Sequence, residues 1–196
     1  FQTEDKYCIR PGTYCGLIFL LSVRNGEPLA LMNDGYLQHM RVGACAGLGA
    51  KYLSRKNSRT LGILGSGGMA RTYATAICQV RPIERIRLFS PTKANCLAYA
   101  EEMTSKLGVE IEPVDSPQKA VKGADIVAMT TDSLVPVIKA DWLEPGMHVT
   151  NVRSNEAGQD IFARVDVIAR LGSSTFVLDN PPPNTFGGSD GMFGYF

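Results

Sequence analysis

The chain has 196 residues, long enough for one full domain and part of another, with 20 lysines and arginines against 19 aspartates and glutamates. That near balance, a net charge of +1 with no basic stripe and no run of like charge, argues against nucleic-acid binding and against a charged tail. The longest apolar run, Gly16 to Leu21 with its flanks, is far too short to cross a bilayer, and no signal peptide precedes it, so a soluble protein with no membrane partner is expected.

The chain begins at Phe1 without a methionine and stops on the aromatic run Gly191 to Phe196, so it reads as a fragment or a processed chain. Gly16 to Val23 and Pro28 to Asn33 are short apolar runs around Arg24-Asn25-Gly26-Glu27, and the Asn-Gly pair predicts a hairpin. Tyr36 to Lys56 places Leu37, Met40, Cys45, Leu48 and Tyr52 near helical spacing among glycines and alanines. This predicts a long helix packed tightly on its neighbours, with Asp34 as its N-cap. Residues 1–59 therefore form a section of their own.

From Thr60 the pattern alternates strand and helix, which predicts an α/β fold of Rossmann type: a parallel sheet with helices on both faces. Strands are expected at Leu61–Leu64, Ile86–Phe89, Val109–Pro113, Ile126–Thr130, His148–Val152 and Val165–Ala169. Helices are expected at Met69–Gln79, Thr92–Leu107 and Pro117–Lys122, the last with Ser116 as cap and Pro117 at its first position. Residues 60–171 make up this domain. The remainder, 172–196, is rich in Pro, Gly, Ser and aromatics and reads as loop.

The strand at Leu61 runs straight into Gly65-Ser66-Gly67-Gly68-Met69-Ala70 and then into a helical pattern. Gly65 permits a tight turn, Gly67 lets the backbone approach a pyrophosphate without a Cβ in the way, and Ala70 allows close helix packing. Free N–H groups and the positive end of the helix dipole then face the phosphates. These six residues are the predicted cofactor-binding turn; a plain strand-turn-helix is the alternative.

The end of the second strand narrows the cofactor. An Asp or Glu about 20 residues past the glycine loop would bind the ribose hydroxyls of NAD, but Ser90-Pro91-Thr92-Lys93 stand there. Hydroxyls, a cation and a helix N-terminus suit a 2′-phosphate, so Ser90, Thr92 and Lys93 predict NADP(H) in preference to NAD(H). The same residues can also simply cap the helix. Arg71, one residue past the glycine motif, reads as a solvated helix residue in preference to a pyrophosphate contact. Thr130, Thr131, Asn151 and Val152 end two later strands, where parallel sheets face their ligand crevice, and are candidate cofactor contacts. The five cysteines form no C-x-x-C pair and read as reduced, mostly buried thiols of a cytoplasmic protein. The two histidines, His39 and His148, lie far apart, which argues against a zinc site.

Taken together these motifs resemble the ornithine cyclodeaminase and mu-crystallin family, with its relatives among amino-acid dehydrogenases and imine reductases. The residues that carry the resemblance are Asn25 to Ala30, His39 to Ala44, Ala50 to Leu53, Gly62 to Ala70, Gly123 to Val127 and Trp142 to Val149. Order and spacing match over roughly Gly16 to Leu171. The resemblance implies that residues 1–59 are part of an α+β substrate and dimerisation domain, and that 172–196 return toward it. It further implies a homodimer that moves a hydride between a nicotinamide and the α-carbon of a small amino or imino acid. Arg41 matches the family arginine that holds the substrate carboxylate. Counting along the loop after the strand ending Thr150-Asn151-Val152 puts Asn155 where the family has its amine-binding acid, with Glu156 beside it. An amide cannot take a proton as a carboxylate does, so Asn155 and Glu156 are the candidate catalytic positions of an altered site. Three functions are compatible: an NADP-dependent oxidoreductase, a cyclodeaminase converting ornithine to proline with Glu156 as its acid, or an NADP-binding protein without turnover.

Overall fold

A computed structural model describes residues 16–169 and the short segment 184–186. The chain divides into two compact units, Phe1–Arg41 and Val42–Phe196. In the first, strands β1 (Leu17–Leu21) and β2 (Pro28–Asn33) pair antiparallel, with Leu17 opposite Asn33 and Leu20 opposite Ala30. The expected hairpin closes at Gly26, whose φ of 74° is the left-handed conformation that favours glycine after asparagine. Its N–H donates to Ser22 O at 2.9 Å.

Helix α1 covers Gly35–Leu53 and so crosses from the first unit into the second. The cap differs from expectation. Asn33 Oδ1 accepts the Gly35 N–H at 2.9 Å, whereas Asp34 Oδ1 is buried with no partner. Within the second unit, α1 packs through its small residues: a Cβ added at Gly43 would stand 2.6 Å from Thr72 Cβ, and one at Gly47 2.9 Å from Ala76 Cβ. That close approach explains a helix rich in Gly and Ala with Ala46 and Ala50 buried.

The second unit is built on five parallel strands: β3 (Thr60–Leu64), β4 (Arg85–Phe89), β5 (Glu110–Pro113), β6 (Ile126–Met129) and β7 (His148–Asn151). Their order is β5-β4-β3-β6-β7, so the winding reverses between β3 and β6, and β5 lies at one edge. Between the strands run α2 (Gly68–Val80), α3 (Lys93–Leu107) and α4 (Pro117–Val121). Ser116 Oγ caps α4 at 3.4 Å, as its position before Pro117 predicts, and Gly108 closes α3 at φ 65°.

Alternate residues of the strands supply two cores, as the period of two requires. Leu61, Ile63, Ile86, Leu88, Ile126 and Ala128 face α2, α3 and the end of α1, while Leu64, Val127 and Met129 face α4 and the segment around Ile138, Leu143 and Ile161. Helices thus cover both faces. Gly62 has a local reason: a Cβ there would meet Ala120 O at 2.2 Å, so only glycine lets α4 press on β3.

Some short elements depart from the sequence expectation. A 3₁₀ turn forms at Ala140–Trp142, another at Ser154–Glu156, and helix α5 at Gln159–Phe162. Strand β8 is Val167–Ala169, and in the tail expected to be loop, Asn184–Phe186 forms β9, parallel to β8. The pairing is non-local and three residues long, too short for a period to show in sequence. The rest of the tail, with Cys8 and Cys15, lies outside the described residues. No helix among the described residues is long and apolar enough to cross a membrane.

Candidate functional site

The carboxyl ends of β3 and β6 flank the point where the strand order reverses, which is where open parallel sheets bind ligands. Gly65 leaves β3 at φ 104°, and a Cβ there would stand 2.6 Å from Thr130 O, so this turn admits only glycine. Gly67 has open space where a Cβ would be, and it precedes α2 without any side-chain cap. The first N–H groups of α2, from Gly68, Met69 and Ala70, are thus left for an incoming acceptor. Ser66 sits between the glycines, half-buried, and Ala70 is fully buried in the core against the sheet. These features fit a pyrophosphate, since the turn offers backbone donors and no side chain to block their approach.

Arg71 is not the solvated residue expected from sequence. Its Nε and Nη2 donate to Glu102 Oε2 at 2.9 and 2.6 Å, and Nη1 donates to the carbonyls of Ser66 and Gly67 at 2.8 and 3.1 Å. The guanidinium lies 5.1 Å from the Tyr99 ring centroid, and the Tyr99 hydroxyl donates to Ala70 O at 3.0 Å. Arg71 and then Lys106 hold the Glu102 carboxyl down to about 2. The glycine turn is therefore tied to α3 through one ion pair.

At the end of β4, Thr92 is the N-cap residue of α3, not its first helical residue, and its hydroxyl makes no cap bond. Thr92 and Lys93 are exposed, and Ser90 is half-buried with its carbonyl accepting from Cys96 Sγ at 3.5 Å. Cys96 is buried, whereas Cys45 and Cys78 are only partly so; burial raises the Cys78 thiol to about 11.

On the other side of the reversal, Thr130 is buried and its Oγ1 donates to Leu64 O at 2.9 Å, closing β6 onto β3. Thr131, Asn151 and Val152 are half-buried at the ends of β6 and β7. Glu156 is fully buried and joins them. Its Oε1 accepts Thr131 N–H at 2.6 Å and Thr131 Oγ1–H at 2.8 Å, and its Oε2 accepts the N–H groups of Val152 and Arg153 at 2.9 and 2.8 Å. Asn155 Nδ2 donates to Ser133 O at 3.2 Å, a second tie between the same loops. Tyr73 of α2 reaches Asn151 O at 3.4 Å. Arg41 is exposed on α1, in the first unit. Among the described residues no three His, Cys, Asp or Glu side chains gather into a metal site.

The sequence points to the residues of both loops but not to how they are held. Thr-Thr after one strand and Asn-Glu after the next were visible signals of a hydroxyl and carboxylate pair at neighbouring strand ends. Their contact, 25 residues apart, depends on β6 and β7 being neighbours.

The glycine turn at a reversal of parallel strand order defines a dinucleotide-binding fold of Rossmann type. The chain belongs to the ornithine cyclodeaminase/mu-crystallin family, whose profile matches residues 10–188. It is 39% identical over 142 residues to a Delta(1)-pyrroline-2-carboxylate reductase of Bacillus cereus, covering 72% of this chain and 43% of that protein. It is 29% identical over 163 residues to an ornithine cyclodeaminase of Agrobacterium fabrum, covering 80% and 46%. The solved structure of Thermococcus litoralis Delta(1)-pyrroline-2-carboxylate reductase, a complex with NADH and L-proline, superposes with a TM-score of 0.74 at 36% identity, covering 78% of this chain and 49% of that one. The chain thus spans about half the length of the relatives it matches. Two of these relatives are named as reductases and one as a cyclodeaminase, and the solved reductase holds NADH.

Proposed function

We propose that the whole protein is an NADP(H)-dependent oxidoreductase that reduces the C=N bond of a small cyclic α-imino acid to the amino acid, or runs that reaction in reverse. The observation that supports it most is the pairing of the glycine turn with Thr92 and Lys93, exposed at the start of α3 where a ribose-binding carboxylate would otherwise repel a 2′-phosphate. The likeness to two pyrroline-2-carboxylate reductases supports the substrate class.

When bound, NADPH supplies the hydride that goes to the imine carbon, the nitrogen taking a proton. The protein's part is orientation and charge. Gly65 to Ala70 hold the pyrophosphate on backbone N–H groups, and Ser90, Thr92 and Lys93 take the 2′-phosphate. Thr131, Asn151 and Val152 border the nicotinamide half, with Thr130 closing β6 beneath them. Arg41 holds the substrate carboxylate in two-point geometry, fixing the α-carbon.

Glu156 and Asn155 bear on the choice of reaction. A carboxylate whose two oxygens already accept four hydrogen bonds inside a loop is poorly placed to engage a substrate amine. This favours imine reduction over the cyclodeaminase reading. Residues 1–59 are assigned to a substrate and dimerisation domain, 60–171 to nucleotide binding and 172–196 to the return toward the first. The apolar hairpin supports a homodimer: Leu17, Phe19, Leu29 and Leu31 are 57% to 67% exposed. Free thiols at Cys45, Cys78 and Cys96 support a reducing, cytoplasmic setting.

The test is to titrate the full-length protein with NADPH and NADH and then offer five- and six-membered cyclic imino acids. Tighter NADPH binding and imine-dependent oxidation of NADPH are expected. A preference for NADH overturns the cofactor assignment. Ornithine conversion without net cofactor change establishes the cyclodeaminase, and NADPH binding with neither reaction establishes a binding protein.

A further inference from the structure

The ladder between β6 and β7 finishes with Met129 opposite Asn151, and the Val152 N–H still reaches Met129 O at 3.1 Å. Past that point the two chains separate into loops. What continues the connection is chiefly one side chain, Glu156, fully buried and reaching back from the 3₁₀ turn that follows β7. Its two oxygens divide the work. Oε1 takes both the N–H and the hydroxyl of Thr131, on the β6 side, while Oε2 takes the N–H groups of Val152 and Arg153, on the β7 side. The Glu156 backbone adds a further tie, its carbonyl accepting Val137 N–H at 2.9 Å.

We propose that Glu156 is a positioning residue for the nicotinamide half of the dinucleotide: its carboxylate sets the spacing and orientation of Thr131 and Val152 at the carboxyl edge of the sheet. The inference rests on the reading of that edge as the dinucleotide site. It does not rest on which reaction follows. The strand order gives the division of labour. With order β5-β4-β3-β6-β7, the turn after β3 and the end of β4 serve the adenosine side, leaving the ends of β6 and β7 for the nicotinamide side. Among the described residues the Glu156 carboxylate accepts its hydrogen bonds at the second pair. Backbone N–H donors to an ionised acceptor make strong, short bonds, and an amide in its place must turn an NH₂ toward N–H groups that are themselves donors. Glu156→Gln is therefore nearly isosteric yet breaks the loop on one side.

The experiment compares full-length wild type, Glu156→Gln and Thr131→Val. It measures affinity for the whole reduced nucleotide and for its adenosine half alone: 2′,5′-ADP beside NADPH, or ADP beside NADH. A positioning role predicts that Glu156→Gln weakens binding of the whole nucleotide about tenfold and leaves the adenosine half within about twofold. Thr131→Val, which removes one of the four bonds together with the Ser133 N–H bond to the hydroxyl and keeps the Thr131 backbone N–H, is expected to lie between and serves if the Gln variant does not fold. Equal weakening of both ligands, or no change in either with only a lower melting temperature, overturns the proposal in favour of a general structural role. Failure of wild type to bind either nucleotide overturns the dinucleotide reading itself, and this proposal with it.

Discussion

Arg71 shows how little a cation's sequence position says about its work. Arg71 lies on the first turn of α2, where a surface arginine would ordinarily be hydrated, yet it bonds Glu102 twice and two carbonyls of the glycine turn. The guanidinium satisfies both carbonyls and so fixes the turn. Replacing Arg71 by Met keeps the alkyl stem and removes all four bonds. The pair is one-third exposed, so the expected stability loss is modest, about 1 to 2 kcal/mol by urea titration. NADPH affinity is expected to fall as well. Arg41, exposed on α1, is assigned to substrate. Arg41→Lys keeps the charge but loses the two-point fork, so the substrate KM is expected to rise roughly tenfold with the NADPH Kd unchanged. A change in both constants would move Arg41 to a structural role.

Glycines 65 and 67 separate two reasons for the same residue. Gly65 is needed by the fold: at φ 104° and 2.6 Å from Thr130 O, an alanine is strained and clashes with backbone. Gly65→Ala should cost about 2 to 3 kcal/mol, read as a lower unfolding midpoint. Gly67 has an ordinary φ of −84° and nothing within 4 Å of where a methyl would sit, so Gly67→Ala should fold as wild type. Its methyl would nevertheless stand at the turn assigned to the pyrophosphate, so NADPH binding is expected to drop. Normal affinity in that variant would argue against phosphate binding at this turn. The strands β3 to β7 and helices α2 and α3 were legible because their apolar residues recur over four or more positions and their ends carry Gly, Ser-Pro or Thr. The cap of α1 was not, since Asn33 and Asp34 are chemically equivalent candidates and only the backbone path selects Asn33. The 3₁₀ turns and β9 were illegible for lack of length. In the candidate site, the glycine turn and the missing ribose acid were local signals, whereas the Glu156 and Glu102 partners lie 25 and 31 residues away and depend on tertiary packing.

Among the described residues, His148 and Glu102 bear on how stability varies with pH, and Asp115 and Asp125 are also lowered in the acid range. His148 is half-buried at the start of β7 with its Nε2 buried and unpartnered, and desolvation, then Arg81, lowers it from 6.5 to about 4. The unfolded chain takes up this proton first, so stability is expected to fall as pH drops from about 6.5 toward 4. Glu102, lowered from 4.5 to about 2 by Arg71 and Lys106, gives stability that is complete above its unfolded value and lost as pH falls from 4.5 toward 2. Urea midpoints across pH 2 to 8 should therefore show two declines, of which Glu102→Gln lessens only the more acidic one, to which Asp115 and Asp125 also contribute. The edge strand β5 carries a last consequence. It presents Glu110 and Glu112 and ends in Pro113, which has no N–H to offer. Charge and a missing donor on an open edge discourage another strand from joining the ladder. Growth of the sheet from copy to copy is thereby blocked on that side. The second unit is guarded against fibre-like stacking there.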